Sequence, residues 1–288
     1  MIGFNGRVAI VTGGGRGLGL AYGRLLAERG AQVVLHDVGA GPDGQGEDAA
    51  IVDGAAAGLR SEGLPVTAAS GAIDNREGCL LLVREALARH GRLDIIINNA
   101  GWVGYQRIEE LEPAFLARAV ALQIGGPLWL AQAAWPAMTE QGYGRVLLTT
   151  SDRALYPQYA QAGLATYAAS KIAQVGIMNV LALEGAEHGV VVNAISPVAK
   201  TRMWGADGEP DELRPQAVAP GAAWLVSDAC TQSGWVLRAS NGQFHAVRLA
   251  EAPGVDYPRD LCAVSADSPD AVAAAWDRIA AEHPEART

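Results

Sequence analysis

"RVAIVTGGGRGLGLAYGRLLAERG" (7–30) is the stretch whose reading decides the fold. RVAIVT (7–12) is a short run rich in Val and Ile with no polar alternation, as a strand buried on both faces requires. LGLAYGRLLAERG (18–30) spaces its apolar residues as a helix and stops at Gly30. Between them lie Gly13, Gly15, Gly17 and Gly19, the first and the last two in G-x-x-x-G-x-G spacing. A glycine loop that ends a strand and opens a helix lets backbone N–H groups approach a pyrophosphate. The positive end of the helix dipole then faces that anion. A glycine loop by itself is equally a plain turn. Its place in a strand–loop–helix unit points to a nucleotide, with Arg16 and Leu18 in the same loop.

The alternation continues outward. Strands are expected at 32–37, 65–70, 93–98, 145–150 and 190–196, with helices around 47–61, 76–90, 112–140 and 165–188. Order of this kind predicts an α/β fold with a doubly wound parallel sheet. A polar, Pro-containing segment (198–220) and a short helix with Trp224 follow, and GWVLRASNGQFHAV (234–247) reads as a last strand with a polar tail. No linker or repeat interrupts the pattern, so residues 1–255 are expected to form one domain. Residues 256–288 form a C-terminal extension, with Ser268 as N-cap and Pro269 at the first position of a helix docked by Trp276.

Composition narrows the classes. Half of the 288 residues are hydrophobic and only 18% charged, which supplies a core and argues against disorder. A net charge of −9 disfavours nucleic acid held on a broad basic face, and obliges any anionic substrate to find a local basic patch. Cys79, Cys230 and Cys262 have no paired spacing and the five histidines stand singly, so no metal site is expected. The N-terminus lacks the pattern of a signal peptide, and no run is read as a membrane span, so a cytoplasmic protein without a membrane partner is expected.

QVVLHD (32–37) ends in Asp37, eighteen residues after Gly19. A lone Asp after a strand is commonly a cap or turn residue. In this unit its carboxylate can accept hydrogen bonds from adenosine ribose hydroxyls and repel a 2′-phosphate. That favours NAD over NADP, although Arg16 could pair with a 2′-phosphate.

YAASK (167–171) stacks Tyr167 and Lys171 at i, i+4 on one helix face. An ammonium near a phenol favours phenolate and is expected to lower the Tyr167 pKa, so that the phenol exchanges a proton with an alcohol or carbonyl oxygen. Ser151, at the end of the VLLTTS strand, could hold the same oxygen. Taken alone, YAASK reads more simply as a surface Tyr and a solvated Lys.

TGGGRGLG (12–19), NNAG (98–101), Ser151, YAASK and NAISPVAKTRM (193–203) occur in the order found in short-chain dehydrogenases/reductases, and the chain resembles that family over about residues 4–250. Within it, GLGLAYGRLLAERGAQVVLHDVGAG, AAWPAMTEQGYGRVLLTTS and VAPGAAWLVSDACTQSGWVLRASNGQF are most similar to the (3R)-hydroxyacyl-CoA dehydrogenase domains of peroxisomal multifunctional enzymes of β-oxidation. The resemblance implies a Rossmann fold and hydride transfer between nicotinamide C4 and a carbinol or carbonyl carbon. Tyr167 would be acid/base, Lys171 would lower its pKa and bind the nicotinamide ribose, and Ser151 would orient the substrate oxygen. Asn99, Ala100 and Gly101 would lie along the cofactor, with Pro197, Val198 and Thr201 near the nicotinamide amide. The family's dimers and tetramers imply a homodimer or homotetramer, with the exposed face of the 165–188 helix as a contact.

The chain departs from the family in four places. Gln123 stands where the family has an Asn that supports a proton-relay water. Val198 replaces the glycine after the proline, and Asp74 is the nearest candidate for the acidic residue at adenine. The Ser–Tyr interval of 16 residues is about three longer than usual, so the loop around 157–165 is expected to be remodelled. Trp102, Tyr105, Tyr156, Tyr159, Met203 and Trp204 should edge a pocket for a bulky apolar substrate; several would serve as ordinary packing. An acyl-CoA would need bases such as Arg107, Arg153, Lys200 and Arg202 for its phosphates. A free steroid, terpenoid or aromatic alcohol or ketone is the alternative substrate class. A non-catalytic NAD-sensing scaffold is the alternative to an enzyme.

Overall fold

Burial along the strands shows how the sheet is covered. In β1 (Val8–Thr12), Ala9 and Val11 join one hydrophobic cluster while Val8 and Ile10 join another, and all four are buried. β4 (Ile95–Ile97) repeats this, with Ile95 and Ile97 on one face and Ile96 on the other. Side chains alternate across a strand, so a run with no polar face must carry helices on both sides of its sheet.

The computed structural model describes residues 1–201, 210–251 and 253–280, in two units, Met1–Val247 and Arg248–Thr288. In the first, β1 is followed by α1 (Gly17–Glu28), β2 (Gln32–His36), α2 (Ala49–Ser61), β3 (Val66–Ala69), α3 (Arg76–His90) and β4. Then come α4 (Pro113–Val120), α5 (Gly126–Glu140), β5 (Gly144–Thr149), α6 (Asp152–Leu155), α7 (Ala165–Gly185), β6 (Val190–Val198), α8 (Pro215–Leu225), β7 (Val236–Ser240) and β8 (Gln243–Val247). The sheet order is β3-β2-β1-β4-β5-β6-β7-β8, parallel except at β7–β8. Strand order reverses between β1 and β4. That switch point opens a crevice at the carboxyl ends of the strands, where α/β sheets bind ligands. The doubly wound Rossmann-type sheet is as the sequence indicates.

Local signals fix most helix ends. Asp48 caps α2 by accepting from the Ala50 N–H, and Asn75 caps α3 by accepting from the Gly78 N–H. Gly91 ends α3 with φ of 73°, a left-handed cap suited to glycine.

Two expectations change. The 234–247 segment is a hairpin of two strands, turning at Asn241 and Gly242 with φ of 50° and 77°. Asn-Gly with both residues at positive φ is the tight turn that matches strand twist, and "SNGQ" carried that signal. The 112–140 region also contains a π turn, Ala121–Gly125, closed by the Gly126 N–H on the Ala121 carbonyl. The stretch Pro113–Glu140 is long and apolar enough to cross a membrane by length and composition, which the sequence reading did not anticipate. In the fold, Leu130, Ala134 and Met138 pack with Cys79, Leu82 and Val83 of α3 against the sheet.

In the second unit, the Ser268 hydroxyl accepts from the Ala271 N–H and caps α9 (Pro269–Ala274), as its sequence indicates. The helix breaks at Ala275 before α10 (Trp276–Ile279), and Trp276 is 58% exposed.

Candidate active site

The glycine loop is shaped by near contacts that only glycine allows. A Cβ on Gly19 would stand 2.1 Å from the Gly13 carbonyl oxygen, and one on Gly13, whose φ is +65°, 2.9 Å from Asn99 Nδ2. The loop therefore folds tightly against the first turn of α1. Its far side is held by Asp37. Oδ2 accepts from the Gly15 N–H at 3.0 Å, and Oδ1 from the Gly39 N–H at 2.8 Å. Asp37 is thus a turn residue that also lines the crevice, and its oxygens keep lone pairs to spare. Arg16 Nη2 donates to the Ala40 carbonyl at 3.1 Å. His36 is buried with Nε2 2.9 Å from the Gly71 carbonyl, and burial holds its imidazole below the ordinary value.

The other wall is NNAG. Asn99 and Ala100 both donate their N–H to Thr12 Oγ1 at 3.0 Å, and Asn99 Nδ2 donates to the Thr12 carbonyl at 3.1 Å. Gly13, Arg16, Gly17, Leu18, Asp37, Asp74, Asn99, Ala100, Gly101 and Thr201 share one cleft of about 560 Å³. Asp74 reaches it from an exposed position, its Oδ1 accepting from Asn75 Nδ2.

A second cleft, also of about 560 Å³, shares Leu18, Asn99, Gly101, Trp102 and Thr201 with the first, so the two run together. Ser151, Tyr167, Lys171, Gln123, Pro197 and Val198 line it. Ser151, two residues past β5, caps α6 by accepting from the Arg153 N–H. Tyr167 and Lys171 are on α7, and Lys171 is anchored twice: its Nζ donates to the Thr149 carbonyl at 3.1 Å, and its own carbonyl accepts from Thr150 Oγ1 at 2.7 Å.

Electrostatics correct one expectation. Lys171 was expected to depress the Tyr167 pKa. Instead burial pushes the phenol above its ordinary value, with Tyr105 adding to this, while a hydrogen bond with Ser151 and the charge of Arg153 oppose it. Lys171 Nζ lies 5.8 Å from the Tyr167 ring centroid, and its own burial pulls it down to about 8. Desolvation disfavours the charged form of both groups, and residue spacing does not reveal it.

The aromatic residues divide. Trp102, Tyr105 and Tyr159 line the second cleft. Trp102 is buried, edge-on to Phe115 and beneath the Arg118 guanidinium. Tyr156 is not among the lining residues. It lies under the Arg238 guanidinium and edge-on to Tyr159, while Arg238 pairs with Asp152 at 2.7 Å. Met203, Trp204 and Arg202 lie outside the described residues. Arg107 is paired with Glu109 and Lys200 with Glu212.

Two residues were missed by the sequence reading. Asp152, next to Ser151, accepts from Ser196 Oγ at 2.7 Å and from Arg238 Nη2 at 2.7 Å. Arg238 also lines the cleft. This network ties the Ser151 turn to β6 and β7, and the acid directly after Ser151 was its one local sign.

Residues 7–212 match the family model described as short chain dehydrogenase. A Mycobacterium tuberculosis protein described as a short-chain type dehydrogenase/reductase is 32% identical over 282 residues, covering 97% of this chain and 96% of its own. The mouse peroxisomal multifunctional enzyme type 2 is also 32% identical over 282 residues, covering 96% of this chain; the chain spans 37% of that enzyme's length. A crystal structure of a short chain dehydrogenase from Mycobacterium avium superposes with a TM-score of 0.81 at 27% identity, covering 96% of this chain and 95% of that one. With this cradle and this cleft, the chain belongs to the short-chain dehydrogenase/reductase family of oxidoreductases, whose members use nicotinamide cofactors.

Proposed function

We propose that the protein is an NAD(H)-dependent oxidoreductase interconverting a secondary alcohol and a ketone. One observation carries the reading: Ser151, Tyr167 and Lys171 converge on a cleft continuous with the glycine crevice. The crevice fits a dinucleotide, because the tightly turned glycine loop opens α1 into one cleft with Asp37 on one side and Asn99, Ala100 and Gly101 on the other. The loop from Gly13 to Gly19, with Arg16, Gly17 and Leu18 at the start of α1, would present N–H groups to the pyrophosphate, while the Gly15 N–H is held by Asp37. Asp37 would take the ribose hydroxyls and repel a 2′-phosphate, and Arg16 is engaged by the Ala40 carbonyl. When bound, the nicotinamide supplies or accepts the hydride at C4. Asn99, Ala100, Gly101, Pro197, Val198 and Thr201 would flank it.

Tyr167 then gives its proton to a ketone oxygen, or takes one from an alcohol. The Ser151 hydroxyl donates a hydrogen bond to the same oxygen and fixes its distance from the phenol. Lys171 remains protonated at pH 7 and favours the phenolate that forms. For the substrate, resemblance to the multifunctional enzymes favours a 3-hydroxyacyl-CoA. The glutamates paired with Arg107 and Lys200 favour a second reading, a free bulky ketone against Trp102, Tyr105 and Tyr159.

Tyr167→Phe is expected to cut kcat for NADH oxidation by about 10²–10⁴-fold while NADH still binds. Undiminished turnover contradicts the assigned role, and wild-type protein that binds NADH but reduces no ketone supports the scaffold reading. Asp37→Asn, which keeps the side-chain shape, is expected to narrow the preference for NADH over NADPH by roughly 10–100-fold, read by fluorescence titration; an unchanged ratio removes Asp37 from cofactor choice. Lys171 is depressed from 10.5 to about 8 by burial, so the folded chain bears the full cost of that charge below pH 8 and sheds it between 8 and 10.5. Lys171→Met should therefore be more stable than wild type at pH 7, by an amount on the order of 3 kcal/mol, in urea unfolding. The gain should shrink toward pH 10.5. A difference that does not change with pH contradicts the burial effect.

A further inference from the structure

The turn that carries Gln123 depends on two residues outside the catalytic set. Pro127 stands four residues after Gln123, where its missing N–H denies that carbonyl its α-helical partner. The chain forms the π turn instead, and Gln174 Nε2 of α7 donates to the Gln123 carbonyl across the gap between helices. Gln174 follows Lys171 by three residues and is 2% exposed. A buried amide is costly unless it is bonded, so its place in the core calls for a reason.

Gln123 is also 2% exposed, and its side-chain Oε1 has no partner among the described residues. A Cβ on Gly101, in the floor of the cleft, would stand 3.0 Å from that oxygen and 3.5 Å from Lys171 Nζ. Lys171 has three N–H donors and gives one to the Thr149 carbonyl. An acceptor without a donor and an ammonium with donors to spare therefore face the same point. No hydrogen bond joins them directly, and a single water held between them would satisfy both. The titratable neighbour of Lys171 is Tyr167 on its own helix, with Arg153 of α6 and Tyr105 beyond β4 acting on that phenol.

We propose that Gln174 is a positioning residue for proton transfer: its bond to the Gln123 carbonyl holds the π turn so that the Gln123 side-chain oxygen faces the Lys171 ammonium. This rests on the Tyr167–Lys171 reading above. Through the water, the Gln123 oxygen stabilises the charged lysine. Loosening the turn lets Lys171 lose its proton at lower pH and leaves the phenolate without its counter-charge.

The test follows NADH oxidation by the full chain across pH, with acetoacetyl-CoA, or with α-tetralone if that is the ketone turned over. The variants are Gln174→Leu, Gln123→Leu and both together; Gln174→Met serves if Gln174→Leu does not fold. Each single change is expected to lower kcat about tenfold and move the alkaline limb to lower pH, with the NADH dissociation constant within about twofold of wild type. Because Gln174 acts through Gln123, the double variant should be no slower than Gln123→Leu. A Gln174 variant with wild-type kcat and pH limb overturns the proposal, and so does a double variant whose losses simply add. Tyr167→Phe in the same assay separates the failures. If it stays active, the function assigned to the cleft fails; if it is inactive while Gln174 is silent, only this inference fails.

Discussion

The site depends on one clamp. Thr12 Oγ1, at the end of β1, accepts the N–H groups of Asn99 and Ala100, just past β4, and Asn99 Nδ2 returns a bond to the Thr12 carbonyl. These are the strands between which the sheet order reverses. The clamp fixes the glycine loop against NNAG, and Gly13 and Gly19 complete it by approaching where no Cβ fits. A crevice is expected at any switch point. Its walls are joined because five backbone and side-chain groups satisfy one another across it.

The reactive half hangs from the next strand. β5 ends at Thr149, whose carbonyl accepts from the Lys171 ammonium; Thr150, whose hydroxyl donates to the Lys171 carbonyl, and then Ser151 follow it. One strand end therefore sets both the ammonium and the hydroxyl that face Tyr167. The arrangement buries a lysine and a phenol together, which costs stability. Asp152, Ser196 and Arg238 close the other side, so the Ser151 turn is braced by three strands.

What was legible in the sequence is what is local. Strand, loop and helix follow one another within 7–30, so the fold and the cradle could be read from spacing. A strand end and an i, i+4 pair mark Ser151, Tyr167 and Lys171, but only their order among the family's other motifs set them apart from surface residues. The Asp152–Arg238 bond joins residues 86 positions apart, and no pattern announces it. Nor did YAASK show that burial outweighs the lysine in setting the Tyr167 pKa. The Asn241-Gly242 turn and Pro127 were local signals left unread: the first splits a strand in two, and the second marks where a helix must bulge.

In the proposed reaction this cleft passes a hydride directly between NADH and a ketone. The most direct measurement uses NADH carrying deuterium on one or the other face of C4, with 3-ketoacyl-CoA, steroid and small aryl or cyclic ketones as acceptors. One isomer alone is expected to put its deuterium on the carbinol carbon of the product. Turnover of none of these ketones, or label from both isomers alike, would contradict it.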